Sequence, residues 1–205
     1  MAKDYPDFLI FDYETLSNKP LTAPVISFGA IIGNWEDIRL DSREETLATI
    51  KRLESQSLYQ TIKTKSQVEK YGLIVNAETV RWWSKQGDFA KQMLESKDKI
   101  GVEEHCQYFI NWCIERGLTQ KTMVFIRAPH FDFTIMENIF DKVGLPIPFN
   151  TFKIRDVRTA IDFIYGTDNG YVPGFKEMLT GLNLHEHYAL HDCCKDLIQL
   201  KLCRD

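Results

Sequence analysis

The chain lacks any long apolar run. Its purely apolar stretches span only a few residues, Phe8 to Phe11 among them, against the ~20 that a bilayer-crossing helix needs. The opening MAKDYPDF has no apolar core after its lysine, so no secretory leader is expected and a cytoplasmic location is. A basic surplus is missing too. Lys and Arg number 25 against 29 Asp and Glu, for a formal net charge of −4. The positive coat of many nucleic-acid-binding domains is therefore absent, and on total charge alone a polyanionic partner is not expected. The five cysteines (Cys106, Cys113, Cys193, Cys194 and Cys203) are an odd set. Four fall at apolar positions on predicted helices, so reduced core thiols are expected rather than a disulfide framework.

Linkers, repeats and low-complexity tracts are also absent, so residues 1–205 read as one domain. Hydrophobic residues make up 44% and charged residues 26%, near the globular average, so a sizeable core is expected and disorder is not. Residues 7–13 and 24–33 read as buried strands joined by a turn-rich LSNKPLTA. A third, shorter strand is expected at 36–41, completing an antiparallel meander, with polar helix and loop over 44–70. Helices are expected at 77–85, with Asn76 as N-cap, and at 102–115, where Val102, Cys106, Phe109, Ile110 and Cys113 follow helical spacing. A strand at 122–127 is followed by a helix near 132–142. Further helices are expected at 154–165, 173–180 and 189–203. Strands first, then helices interleaved with one or two strands, predict an α/β fold with a mixed central sheet flanked by helices.

Three groups of residues carry chemistry. Asp12 and Glu14 lie two apart at the end of the first strand, so both project from one face. Like charges that close repel unless a cation lies between them, and hard oxygen donors suit magnesium or manganese. Asp132 lies where a strand gives way to a helix, a position the helix dipole also favours for a plain structural acid. Phe131 and Phe133 flank it as core or site residues. The third group is NLHEHYALHDCCKDLIQL, residues 183–200. His187, His191 and Cys194 lie four and three apart, spacing compatible with a zinc-stabilised module, although paired Cys and paired His spacing is missing. The His191-Asp192 doublet also occurs in metal phosphohydrolases, for which His105 and His130 are poor upstream ligands. A third reading pairs His187, in a loop, with Asp192 in the first turns of the following helix.

Taken together, the Asp-x-Glu on the first strand, the later Asp after a strand and the His-x-x-x-x-Asp resemble the DEDDh exonucleases. These are the DnaQ-like 3′-to-5′ exonucleases with a ribonuclease-H-like fold. The resemblance runs from Asp12 to Asp192. Within that family the chain is similar to the exonuclease A proteins of T-even-type phages. The shared features are the double tryptophan of TVRWWSK (79–85), the segment Arg155-Asp156-Val157-Arg158-Thr159-Ala160, and the ending HDCCKDLIQL. A bacterial exoribonuclease group shares the double tryptophan and the four acids.

The resemblance implies that Asp12, Glu14, Asp132 and Asp192 hold two divalent cations, Mg2+ or Mn2+, with Asp12 bridging them. Glu14 and Asp192 would ligate the cation carrying the attacking water, and Asp132 would serve mainly the other. His187 would be the general base, since imidazole titrates near neutrality. The implied reaction releases nucleoside 5′-monophosphates from single-stranded nucleic acid, DNA before RNA. Inactive and zinc-stabilised binding modules are the alternatives from other classes. Thr15 is expected near the terminal 3′-OH. Trp82 and Trp83 lie about 100° apart on a helix, so one is expected in the core and the other to stack on a base, with both in the core as the alternative; Phe131 is a further contact. Arg81, Lys85, Arg127, Arg155 and Arg158 are phosphate-contact candidates. Asp156 is expected either to support the acids or to cap a helix, and Asp196 to be solvated or paired with Lys195 or Arg204. The four acids carry −4 between them, so the remainder of the chain sums to zero. The acidity then marks a cation site and is no argument against a polyanionic substrate.

Overall fold

The structure, a computed structural model, describes residues 4–87 and 93–205. Residues 1–3 of the leader reading lie outside it. Five strands form one sheet: β1 (Phe8–Thr15), β2 (Val25–Gly33), β3 (Leu58–Thr61), β4 (Met123–Ile126) and β5 (Ile154–Asp156). Their order is β3-β2-β1-β4-β5. β1, β2 and β3 pair antiparallel, whereas β4 and β5 join parallel to β1. Parallel neighbours require crossovers rather than hairpins, and helices supply them.

The helices are α1 (Arg43–Gln56), α2 (Lys65–Tyr71), α3 (Ala77–Trp83), α4 (Val102–Glu115), α5 (Pro129–Val143), α6 (Val157–Tyr165), α7 (Phe175–Met178) and α8 (Ala189–Arg204). None of the described helices is long and apolar enough to cross a membrane. Alternation along β1 divides the core into two layers. Leu9, Phe11 and Tyr13 pack with α4 (Cys106, Phe109) and α5 (Ile135, Met136, Ile139). Phe8 and Ile10 pack with α1 (Ile50, Leu53), α6 (Val157, Ile161) and α8 (Leu190, Cys193, Leu197). Asp12 and Glu14 continue the second series, so they project toward α8. All five cysteines are free, and four are buried.

Two expected elements are corrected. Residues 36–41 do not extend into a strand. Trp35–Asp37 is a 3-10 turn, because the Trp35 amide donates to Asp7 Oδ2 at 3.1 Å and its ring packs on Phe8. The third strand is instead Leu58–Thr61, inside the stretch read as helix and loop. The expected helix at 154–165 opens as β5, and the helical part starts at Val157.

Candidate active site

Cross-strand pairing places Asp12 opposite Gly29 and Glu14 opposite Ser27. Gly29 has no side chain to hold a helix off. A Cβ there would lie 2.5 Å from the Leu190 nitrogen and 2.6 Å from the Ala189 carbonyl carbon. The first turn of α8 therefore rests directly on β2, and Asp192 lies in that turn. His187 precedes the helix with φ of 57°, a left-handed conformation uncommon outside glycine. One donor atom each from Glu14, His187 and Asp192 lie within 4.8 Å of one another.

Asp132 arrives from the opposite layer. It sits in the first turn of α5 and is buried. Its Oδ1 accepts the Tyr13 N–H at 3.0 Å, which fastens it to the strand between Asp12 and Glu14. α5 springs from Ala128, also left-handed with φ of 57°. The Ala128 N–H donates to Asp156 Oδ1 at 3.1 Å. Asp156 also accepts from the Arg158 and Thr159 amides and the Thr159 hydroxyl. It therefore caps α6, one of the two roles that the sequence suggests for it, and also ties down the start of α5.

Burial and crowding disfavour ionisation here. Burial, then the charges of Asp132, Glu14, Asp192 and Asp196, hold Asp12 well above the carboxylate range. Burial, then Asp192 and Asp132, does the same for Glu14, opposed by Lys195. Burial pushes Asp132 up to about 7, against the Tyr13 amide and the Arg158 charge. Hard oxygen donors that repel one another, with an imidazole beside them, fit divalent cations.

The other expected site residues separate. Trp83 is 2% exposed, and its indole N–H donates to the Thr15 carbonyl at 2.8 Å. It packs with Ile26 in a small cluster of its own, so it holds the end of β1 and is corrected as a substrate surface. Trp82 is 41% exposed, and its ring lies edge-on to His187 at 4.6 Å between centroids. Thr15 is buried and its hydroxyl donates to the Ser17 carbonyl at 2.7 Å, so that hydroxyl is already engaged. Phe131 is half-buried against the core. Arg81 is exposed and loosely paired with Glu78, and Lys85 is exposed. Arg155 turns back on the Phe152 and Ile154 carbonyls. Arg158 is exposed and near enough to Asp132 to oppose its shift.

Asp196 and Arg127 are both corrected. Asp196 is buried and takes the Arg127 guanidinium at 2.8 Å. Arg127 also donates to the Gly170 carbonyl and lies over Tyr171, which removes it from the phosphate candidates. The zinc reading also changes. His191 is taken up by Glu54 Oε1 at 2.9 Å and the His185 amide at 2.8 Å. Cys193 points to the Gly29 carbonyl, and Cys194 lies in the core. Among the described residues the candidate metal group contains Glu14, His187 and Asp192, with no cysteine. His105 is buried on the other face, between the Tyr13 hydroxyl and Gln60.

Sequence reading misses Gly29, Glu54 and the role of Lys195. Lys195 Nζ lies 2.7 Å from Asp192 Oδ1 and 2.8 Å from the His185 carbonyl. Its spacing of three from Asp192 on a helix was the available signal.

A mixed sheet with this order, carrying an Asp-x-Glu on β1, an Asp on the helix after β4 and a His-Asp pair at α8, is the arrangement that the resemblance to DnaQ-like 3′-5′ exonucleases of ribonuclease-H-like fold implies. The chain belongs to the 3′-5′ exoribonuclease Rv2179c-like domain family, whose pattern matches residues 7–196. It is 26% identical over 95% of its length to an exodeoxyribonuclease of Enterobacteria phage T4, covering 87% of that protein. In fold it is similar to the nuclease domain of 3′hExo, a DEDDh family member bound to rAMP, with a TM-score of 0.61, 13% identity and 99% and 93% of the two chains covered. It is also similar to a zinc-bound E. coli exonuclease I–ssDNA complex, with a TM-score of 0.57 and 14% identity. The match covers 98% of this chain but only 41% of exonuclease I.

Proposed function

We propose that this exonuclease is divalent-cation-dependent and removes nucleoside 5′-monophosphates from the 3′ end of single-stranded DNA, with residues 1–205 forming the nuclease domain. The observation that carries this reading is that Glu14, His187 and Asp192 offer donor atoms within 4.8 Å of one another, while burial first and neighbouring carboxylates second hold Asp12 and Glu14 well above the carboxylate range. Asp12, Glu14, Asp132 and Asp192 would hold Mg2+ or Mn2+. The cations supply positive charge against the phosphate and the developing charge of an in-line displacement.

The chain's own residues do the rest. His187 accepts a proton from the attacking water. The new bond forms to phosphorus, and the bond to the 3′ oxygen of the preceding nucleotide breaks. Lys195, paired with Asp192, offsets part of the acidic charge that would repel a phosphate. Trp82 presents an exposed indole beside His187, which suits stacking of a terminal base.

DNA is favoured by the phage relative described as an exodeoxyribonuclease. RNA is the second reading, favoured by the family's description as exoribonuclease. The test is incubation with labelled single-stranded DNA and RNA oligonucleotides, with Mg2+ and then with EDTA. Mononucleotide release, faster from DNA and stopped by EDTA, is expected. Faster release from RNA would reverse the substrate assignment. Release that persists in EDTA or in Asp12→Asn and Asp192→Asn would overturn the cation reading.

A further inference from the structure

One residue of the loop before α8 has both its backbone groups bound by that helix. The His185 N–H donates to His191 Nδ1 at 2.8 Å. The His185 carbonyl accepts from Lys195 Nζ, also at 2.8 Å. His191 and Lys195 are four apart, so they share a helix face. Each is held from its far side. His191 Nε2 meets Glu54 Oε1 of α1 at 2.9 Å, and Lys195 meets Asp192 Oδ1 at 2.7 Å. Since Nδ1 accepts from an amide, the ring proton sits on Nε2 and points at Glu54.

The segment so held is conformationally demanding. Gly181, Asn183 and His187 all have positive φ, 75°, 56° and 57°. A left-handed non-glycine residue persists only where its surroundings over-determine it. Trp82, exposed, and Trp83, buried, both meet the His187 ring edge-on, at 4.6 and 6.2 Å between centroids. The two hydrogen bonds to His185, two residues upstream, hold the backbone on the path into His187.

We propose that Glu54, His191 and Lys195 form a clamp on the His185 peptide that positions His187 over Glu14 and Asp192. Glu54 is the outermost member of this clamp and a positioning residue for the reaction. The inference rests on His187 being the general base. Glu54 makes no described hydrogen bond to Glu14 or Asp192; its described side-chain hydrogen bond is to His191.

The test uses Glu54→Leu, Glu54→Gln and His187→Ala, singly and combined. Lys195 is set aside because it also touches Asp192. Glu54→Leu removes the acceptor for His191 and should lower kcat by about tenfold or more, since a small misplacement of a reacting group is costly. KM for a single-stranded oligonucleotide should stay within about twofold, because no substrate contact is lost. Glu54→Gln keeps a carbonyl acceptor and should keep kcat within about threefold. Added to His187→Ala, Glu54→Leu should cost nothing further. In NMR spectra the His191 Nε2 proton should be protected in the native chain and exchange rapidly in Glu54→Leu.

Native kcat in Glu54→Leu beside a crippled His187→Ala would overturn the clamp alone. Fully additive losses would overturn it as well. Full activity in His187→Ala would instead sink the general-base reading on which the clamp depends.

Discussion

Gly29 and Leu190 touch backbone to backbone: no room for a Cβ exists between β2 and the first turn of α8. Because Gly29 pairs with Asp12 and Leu190 stands two residues before Asp192, this contact sets the spacing of two carboxylates of the proposed cation site. Gly29→Ala should push α8 outward. Overpacking of this kind costs about 1–3 kcal/mol, while activity should fall by a larger factor than stability alone explains. Thermal denaturation and turnover, measured together, check this. An unchanged kcat would show that α8 tolerates displacement.

The two adjacent tryptophans should respond oppositely. Trp83→Ala deletes a core side chain and its bond to the Thr15 carbonyl, at a cost of about 3–5 kcal/mol. Trp82→Ala should leave the melting temperature nearly unchanged. If Trp82 stacks on a base, its loss weakens oligonucleotide binding by about 1–3 kcal/mol, read as a raised KM.

Cation-free protein should lose stability as pH rises through the site's titration range. Folded Asp132 titrates near 7 against an ordinary value of 3.8, so between those values the folded chain binds more protons than the unfolded one. Stability then falls with rising pH, and Asp12 and Glu14, also raised, add to the effect. His105, depressed to about 3 by burial, works the other way. Its contribution is lost as pH falls from 6.5 toward 3. It lies on the opposite face, so the difference between Mg2+ and EDTA cancels it. The Mg2+-induced rise in melting temperature should grow from pH 5.5 to 8. In EDTA at pH 8, Asp132→Asn should melt higher than the native chain while being inactive.

Buried Asp196 pairs with half-buried Arg127, 2.8 Å away. Arg127→Met strands a buried carboxylate and should cost about 3–5 kcal/mol. The double change Arg127→Met with Asp196→Leu should recover much of this, because the stranded charge goes with its partner. Denaturant unfolding of the three variants checks both statements.

Much of the site was legible because its signals are local. A two-residue spacing on an apolar strand puts Asp12 and Glu14 on one face. The Asn76 side chain does accept from the Glu78 and Thr79 amides, and the α4 bounds coincide with the helical spacing. Contacts between distant segments were not legible. Nothing near Gly29 in sequence announces that α8 will rest on it. Nothing near Arg127 names Asp196. Leu58–Thr61 is only four residues long, too short for alternation to stand out from its polar flanks, and β2 supplies its pairing. Lys195 was visible, but helical spacing alone did not say which neighbouring aspartate it would choose.

The resting place of α8 on Gly29 also has a consequence in time. During synthesis Asp12, Glu14 and Asp132 are all made before His187 and Asp192 exist, at about 5–20 residues per second. Until α8 has emerged and docked, the sheet presents Asp12, Glu14 and Asp132 without His187 and Asp192, the proposed general base and fourth carboxylate. On the proposed mechanism, a nascent chain therefore gains activity only once α8 has docked on Gly29.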